Sequence, residues 1–130
     1  KVYCVCDEYA EMDKFLANRP EKQCLKPVEE KMKYDTYMWN YDRLTEPLRR
    51  EFILKFAQEF KRDVESGYVD LALFDSWKRD DLTALMNDPM LFHARREVSG
   101  DEGYLRKIQQ FYRIGGLALL FRALKQKVRG

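Results

Sequence analysis

Leu48, Phe52, Phe56 and Phe60 recur every fourth residue, joined by Ile53 and Val64. At roughly 100° per residue these six side chains fill an arc of roughly 160°. Arg50, Glu51, Lys55, Gln58, Lys61, Arg62 and Glu65 take the other side. Such a pattern needs an amphipathic helix with its apolar face on a core. Thr45 can cap it, Glu46 and Pro47 suit its first turn, and Ser66-Gly67 ends it with a left-handed glycine. About 17 residues at 1.5 Å each make a rod of roughly 25 Å, long enough to cross a small domain.

Helical periodicity continues on both sides of this rod. Tyr9, Met12, Phe15 and Leu16 lie three or four apart within Asp7 to Ala17, and Asn18-Arg19-Pro20 stops that helix. Val2 to Cys6 is open between a short extended segment and an extra helical turn. Pro27 begins a second helix running to about Arg43. Val28, Met32 and Trp39 form one stripe on it, and Tyr34, Tyr37 and Tyr41 form another. A helix apolar on two sides is either central in a bundle or presents an aromatic patch. Short helices are predicted in Tyr68 to Trp77, from Asp80 or Asp81 through Met86, and from Asp88-Pro89 onward. A final helix starts near Tyr104. Its apolar spacing slips at Gly115-Gly116, where a kink or break is expected because two glycines cost about 2 kcal/mol of helix propensity.

The predicted fold is therefore all-α, a compact bundle of five to seven helices with a short extended N-terminal segment as an option. The helix from Leu48 to Val64 and the C-terminal helix are expected at its centre. The 130 residues suit one helical domain, and a chain that begins at Lys1 is read as a fragment of a larger protein. Hydrophobic residues make up 45% and charged residues 35%, and the 18 aromatics separate the chain from disordered sequences. No apolar run approaches the ~20 residues of a membrane span. Three cysteines, Cys4, Cys6 and Cys24, make no disulfide framework and point to a reducing, intracellular compartment, cytoplasm or nucleus.

Catalysis and metal binding find little support in the sequence. Cys4-x-Cys6, Cys24 and the only histidine, His93, add up to a zinc-like ligand set. The paired C-x₂₋₄-C spacing of such sites is absent, so no metal and no cofactor are expected. Ser66 and Ser99 precede glycines in turns, and no nucleophile–base signature accompanies them or Ser76. Gly100-x-x-Gly103 and Gly115-Gly116 lack the strand, lysine and hydroxyl of a phosphate loop. The chain is expected not to be an enzyme.

Charge is distributed unevenly. Residues 104–130 carry seven basic and no acidic side chains, while residues 1–103 carry 17 basic and 22 acidic. Arg106, Lys107, Arg113, Arg122, Lys125 and Arg129 are the candidate residues for a partner or a phosphate backbone; Arg122, Lys125 and Arg129 fall within roughly 60° of one another on a helix. Tyr34, Tyr37 and Tyr41 are the candidate aromatic interface. The expected function is that of a non-catalytic helical interaction module that docks a protein partner. The alternative is an RNA- or DNA-binding domain that uses the basic C-terminal helix. A small-molecule substrate is not expected.

Overall fold

A computed structural model describes residues 4–97 and 104–129; the side chains of residues 104–107 and 127–129 lie outside the description. The described residues form α-helices and short 3₁₀ turns, with no strand. The helices are α1 (Cys4–Ala17), α2 (Lys26–Arg43), α3 (Leu48–Glu65), α4 (Ser76–Asn87), α5 (Pro89–Glu97) and α6 (Tyr104–Arg129). Cys4 to Cys6 is thus helical, and the rest of the N-terminal question falls on residues outside the description.

The core is aromatic, and two helices build it. The tyrosines of α2, Tyr34, Tyr37 and Tyr41, face Phe52, Phe56 and Phe60 of α3, and all six are at most 1% exposed. Tyr37 meets Phe56 edge-on with ring centroids 5.4 Å apart, and Tyr34 meets Phe56 at 5.8 Å. Edge-to-face contact of this kind adds to the gain from burial because a ring's positive edge meets a negative face. Val5, Cys6 and Tyr9 of α1 close one side of this core, Leu82 and Leu85 of α4 and Phe92 of α5 another. Leu48 and Val64, at the two ends of the predicted apolar arc, are 39% and 37% exposed, so the buried face of α3 is narrower than the sequence suggests.

The ends of α3 show which signals held. Gly67, at φ 77°, receives the helix in the left-handed conformation. Its N–H donates to Val64 O and the Tyr68 N–H donates to Asp63 O, the paired bonds of a Schellman cap. At the start Pro47 holds the cap position and no side chain caps the helix. Thr45 contributes its backbone carbonyl, which accepts from the Arg49 N–H, and not its hydroxyl.

Further along, Tyr68 to Trp77 is not one helix. It holds a 3₁₀ turn at Leu71–Leu73, capped by the Asp70 carboxylate accepting from the Ala72 N–H, and then α4 begins at Ser76. Asp80 and Asp81 lie inside α4 and do not open it. Asp88 does open α5 as expected, accepting at Oδ1 from the Leu91 N–H at 3.2 Å.

The C-terminal helix is not central. It docks on α5 through a small separate core of Leu91, Ala94 and Leu119. Gly116 has φ 68° and ψ −161°, non-helical values that break α6 into two rods. The break re-phases the second rod, so it covers α5 with Leu119 and leaves its other apolar side uncovered.

Candidate docking surface and buried polar networks

Beyond the break at Gly116, α6 is apolar on two opposite sides. Leu119 is 1% exposed against α5. Leu117 and Phe121 are each 71% exposed and Leu124 is 41% exposed. Spaced i, i+4, i+7, these three form a ridge within roughly 60°, nearly opposite Leu119. Large apolar side chains this open and this aligned mark a contact surface more than scattered exposure does. Two other exposed rings, Phe15 and Trp39, carry cations over their faces. The Arg19 guanidinium lies 4.5 Å from the ring centroid of Phe15 on α1, and that of Arg43 lies 4.3 Å from Trp39 on α2. Such cations shield ring faces while their own heads stay in water.

The predicted basic residues separate into three groups. Arg122 is engaged by the domain itself: its Nε donates to Asp88 Oδ2 at 2.6 Å and its Nη2 to Asp88 Oδ1 at 3.3 Å. Lys125 and Arg113 are exposed. Arg106, Lys107 and Arg129 lie on α6, but their side chains are outside the described residues. Lys125 projects roughly between the apolar ridge and Arg122, so positive charge flanks the ridge on one side.

The tyrosine expectation needs correction. Tyr34, Tyr37 and Tyr41 are 1%, 0% and 0% exposed and form the centre of the core, so they offer no interface. The stripe on the other side of α2 is the outward one: Val28, Met32 and Trp39 are 48%, 50% and 57% exposed. Both stripes satisfy helical spacing. The choice between them is made by α3, whose phenylalanines accept ring edges from tyrosines at the matching rise.

The zinc-like set also separates. Cys4 and Cys24 are exposed, Cys6 is buried, and all three are free thiols. Cys6 Sγ reaches toward Glu59 Oε2 at 3.9 Å, and burial raises its pKa, so it is a core thiol and a poor nucleophile. His93 sits elsewhere, fully buried on α5. Its Nδ1 is 2.6 Å from the Tyr41 hydroxyl, and its Nε2 meets a Glu46 carboxylate oxygen. Burial, only partly opposed by Glu46, lowers the imidazole pKa and keeps the ring neutral. A carboxylate–imidazole–hydroxyl row resembles the layout of a nucleophilic triad, but the Tyr41 hydroxyl is enclosed, with its pKa raised by burial. Among the described residues, neither Ser66 nor Ser76 takes part in this row. Glu97, one turn after His93, pairs with Arg49, and Glu46 Oε2 lies 3.5 Å from Arg50 Nε.

A second network was not anticipated from the sequence. It is built where α1, α2 and α3 meet. Lys26 Nζ lies 2.5 Å from Asp13 Oδ1, 2.9 Å from Glu29 Oε2 and 3.2 Å from Glu30 Oε1. Lys33 Nζ lies 2.9 Å from Asp63 Oδ2. Lys26, Glu29, Glu30, Lys33 and Asp63 are all at most 9% exposed. Asp13, Glu29 and Glu30 converge closely enough to hold a cation, and the Lys26 ammonium is already that cation, hydrogen-bonded to Asp13 and ion-paired with Glu29 and Glu30. Four carboxyl groups face two ammonium groups, so the cluster is two charges short of neutrality when all ionise. Desolvation raises Glu29 to about 7, helped by its hydrogen bond with Asp13 and opposed by Lys26. Desolvation raises Glu30 to about 8, helped by its hydrogen bond with Asp63 and opposed by Lys33. Protons shared between carboxyl pairs thus relieve the imbalance. The only hints in the sequence were Glu29-Glu30 and Lys26, Lys33 at helical spacing, which a solvated face explains equally well.

Comparisons with protein-family models, curated proteins and solved structures return no match. Among the described residues no helix is long and apolar enough to cross a membrane.

Proposed function

We propose that this chain is a non-catalytic helical interaction module and that its partner is a protein bearing an acidic amphipathic helix. The observation that carries the proposal is the ridge Leu117, Phe121 and Leu124, open on a helix whose opposite side is already anchored by Leu119. A ridge spaced i, i+4, i+7 is the pattern by which a helix lies in or against an apolar groove. Phe121 supplies the aromatic anchor on which such contacts concentrate their energy. Complementarity sets the sign of the partner: residues 104–130 hold seven basic and no acidic side chains, which steers an acidic segment to the ridge and fixes its register. The free thiols at Cys4 and Cys24 accord with a reducing compartment, cytoplasm or nucleus, as the place of action.

RNA or DNA binding is the second reading, favoured by the exposed Arg113 and Lys125. It is the weaker one because Arg122 is held by Asp88 and because Leu117 and Phe121, each 71% exposed, offer a phosphate no charge. The distinguishing experiment compares the wild type with a Leu117→Asp/Phe121→Asp variant. Loss of a helical protein ligand with an unchanged melt supports docking on the ridge. Retained binding sends the ligand elsewhere.

A further inference from the structure

We infer that Glu46, His93 and Glu97 form a binding site for a borderline divalent transition-metal cation of the zinc class, fastening the segment before α3 to α5. One Glu46 oxygen, a ring nitrogen of His93 and one Glu97 oxygen all lie within 4.8 Å of one another. His93 and Glu97 are four residues apart on α5, which places both on one helix face, one turn apart. Glu46 approaches from the segment between α2 and α3, so the set clamps two elements that are remote in sequence.

The ligand chemistry selects the cation. One imidazole with two carboxylates suits zinc, cobalt, manganese or ferrous ions, while calcium and magnesium prefer all-oxygen sites. The two carboxylates neutralise a dication. His93 is 0% exposed, and its second nitrogen, Nδ1, is fixed 2.6 Å from the Tyr41 hydroxyl. That is the arrangement that orients a metal-ligating histidine from behind: a bound ion takes the place of the proton between Nε2 and Glu46, and the ring proton then sits on Nδ1, donated to the tyrosine oxygen. Glu46 is 39% exposed at its side chain, which gives an ion a path from solvent. Arg49 on Glu97 and Arg50 on Glu46 balance these carboxylates. The ion replaces the guanidinium groups as counter-charge, and both arginines have other places to go: Arg50 to solvent and Arg49 to Asp42, whose Oδ1 lies 3.6 Å from its Nη2.

The test uses the reduced chain stripped with a chelator and titrated calorimetrically with zinc alone. Because Cys4 and Cys24 are exposed thiols, the same titration is run on a Cys4→Ser/Cys24→Ser variant. One equivalent should bind in both, the melting temperature should rise with zinc, and excess magnesium should not compete. Glu46→Gln and Glu97→Gln should each weaken binding at least about tenfold. They are preferred to changes at His93, whose burial makes misfolding a confounding outcome. Cobalt in place of zinc should give a visible spectrum without thiolate-to-metal charge transfer. Absence of saturable binding, loss of binding in the serine variant, or equal affinity in the wild type and both glutamine variants would overturn the site.

Discussion

Arg122 and Asp88 are joined across the α5–α6 boundary by two hydrogen bonds, 2.6 Å and 3.3 Å long. The same Asp88 carboxylate accepts from the Leu91 N–H at the start of α5. One acid therefore caps a helix and holds the most central of the predicted basic residues on the domain's own surface. Two consequences can be measured.

Arg122→Ala removes a pair whose arginine is 46% exposed at its side chain, so it should cost under about 1 kcal/mol. Asp88→Ala removes the pair and the cap together and should cost more, about 1–2 kcal/mol. Urea melts of both single variants and the double variant measure this order. A larger loss from Arg122→Ala than from Asp88→Ala would mean that the cap contributes nothing.

Phe56 lies at the middle of the aromatic core, 0% exposed, with Tyr34, Tyr37, Phe52 and Phe60 around it. Phe56→Ala should cost about 3–5 kcal/mol in denaturant melts, a large part of a typical domain's stability. A loss under about 1 kcal/mol would contradict the assigned face of α3.

Much of this core was legible in the sequence because one helix carried an unambiguous arc. Phe52, Phe56 and Phe60 could only be placed together, and Gly67 and Asp88 ended and began helices by local backbone chemistry. Tyr34, Tyr37 and Tyr41 could not be placed inside or outside from α2 alone, since Val28, Met32 and Trp39 satisfy the same period; contact with α3 decides between them. His93 was weighed with three cysteines because side chains of that class are counted along the chain, whereas its neighbours Tyr41 and Glu46 are 52 and 47 residues distant. The Lys26–Glu29–Glu30–Lys33 run reads as a solvated face until Asp13 and Asp63 arrive from other helices. The kink at Gly115-Gly116 was visible, but its effect was not: the re-phased rod leaves the centre of the bundle and exposes Leu117 and Phe121.

Stability should decline between about pH 5 and pH 8 because of Glu29 and Glu30. Both folded-state pKa values, about 7 and about 8, lie above the ordinary 4.5. The folded state therefore binds more protons than the unfolded one in between. Their contribution is complete below about pH 4.5 and is lost as pH rises through 7 and 8, by a total on the order of a few kcal/mol. Glu30→Gln mimics the protonated form. It should match the wild type near pH 4 and exceed it in stability by a margin that grows up to about pH 8 and stays level to pH 9, as read from melts across that range. A variant less stable than the wild type at pH 9 would show that Glu30 is needed there as an anion.

Gly116 adopts φ 68° and ψ −161°, a region open almost only to glycine. A Cβ at this position meets nothing within 4 Å, so the cost of Gly116→Ala is conformational and not steric. It should lower stability by about 1–3 kcal/mol in denaturant melts. An unchanged or raised stability would show that α6 runs straight through this point in solution.

The ridge on α6 is most directly tested by selection from a displayed library of helix-forming peptides against the immobilised chain. Enriched sequences should be acidic and amphipathic, with apolar anchors at i, i+3 or i+4, and i+7. Their binding should be lost in Leu117→Asp/Phe121→Asp while the melting curve stays in place. Labelled single-stranded RNA and duplex DNA, run in parallel at physiological salt, should bind only weakly. Submicromolar nucleic-acid binding that falls steeply with salt, or enriched peptides that bind the double aspartate variant as well as the wild type, would contradict docking of an acidic helix on Leu117, Phe121 and Leu124.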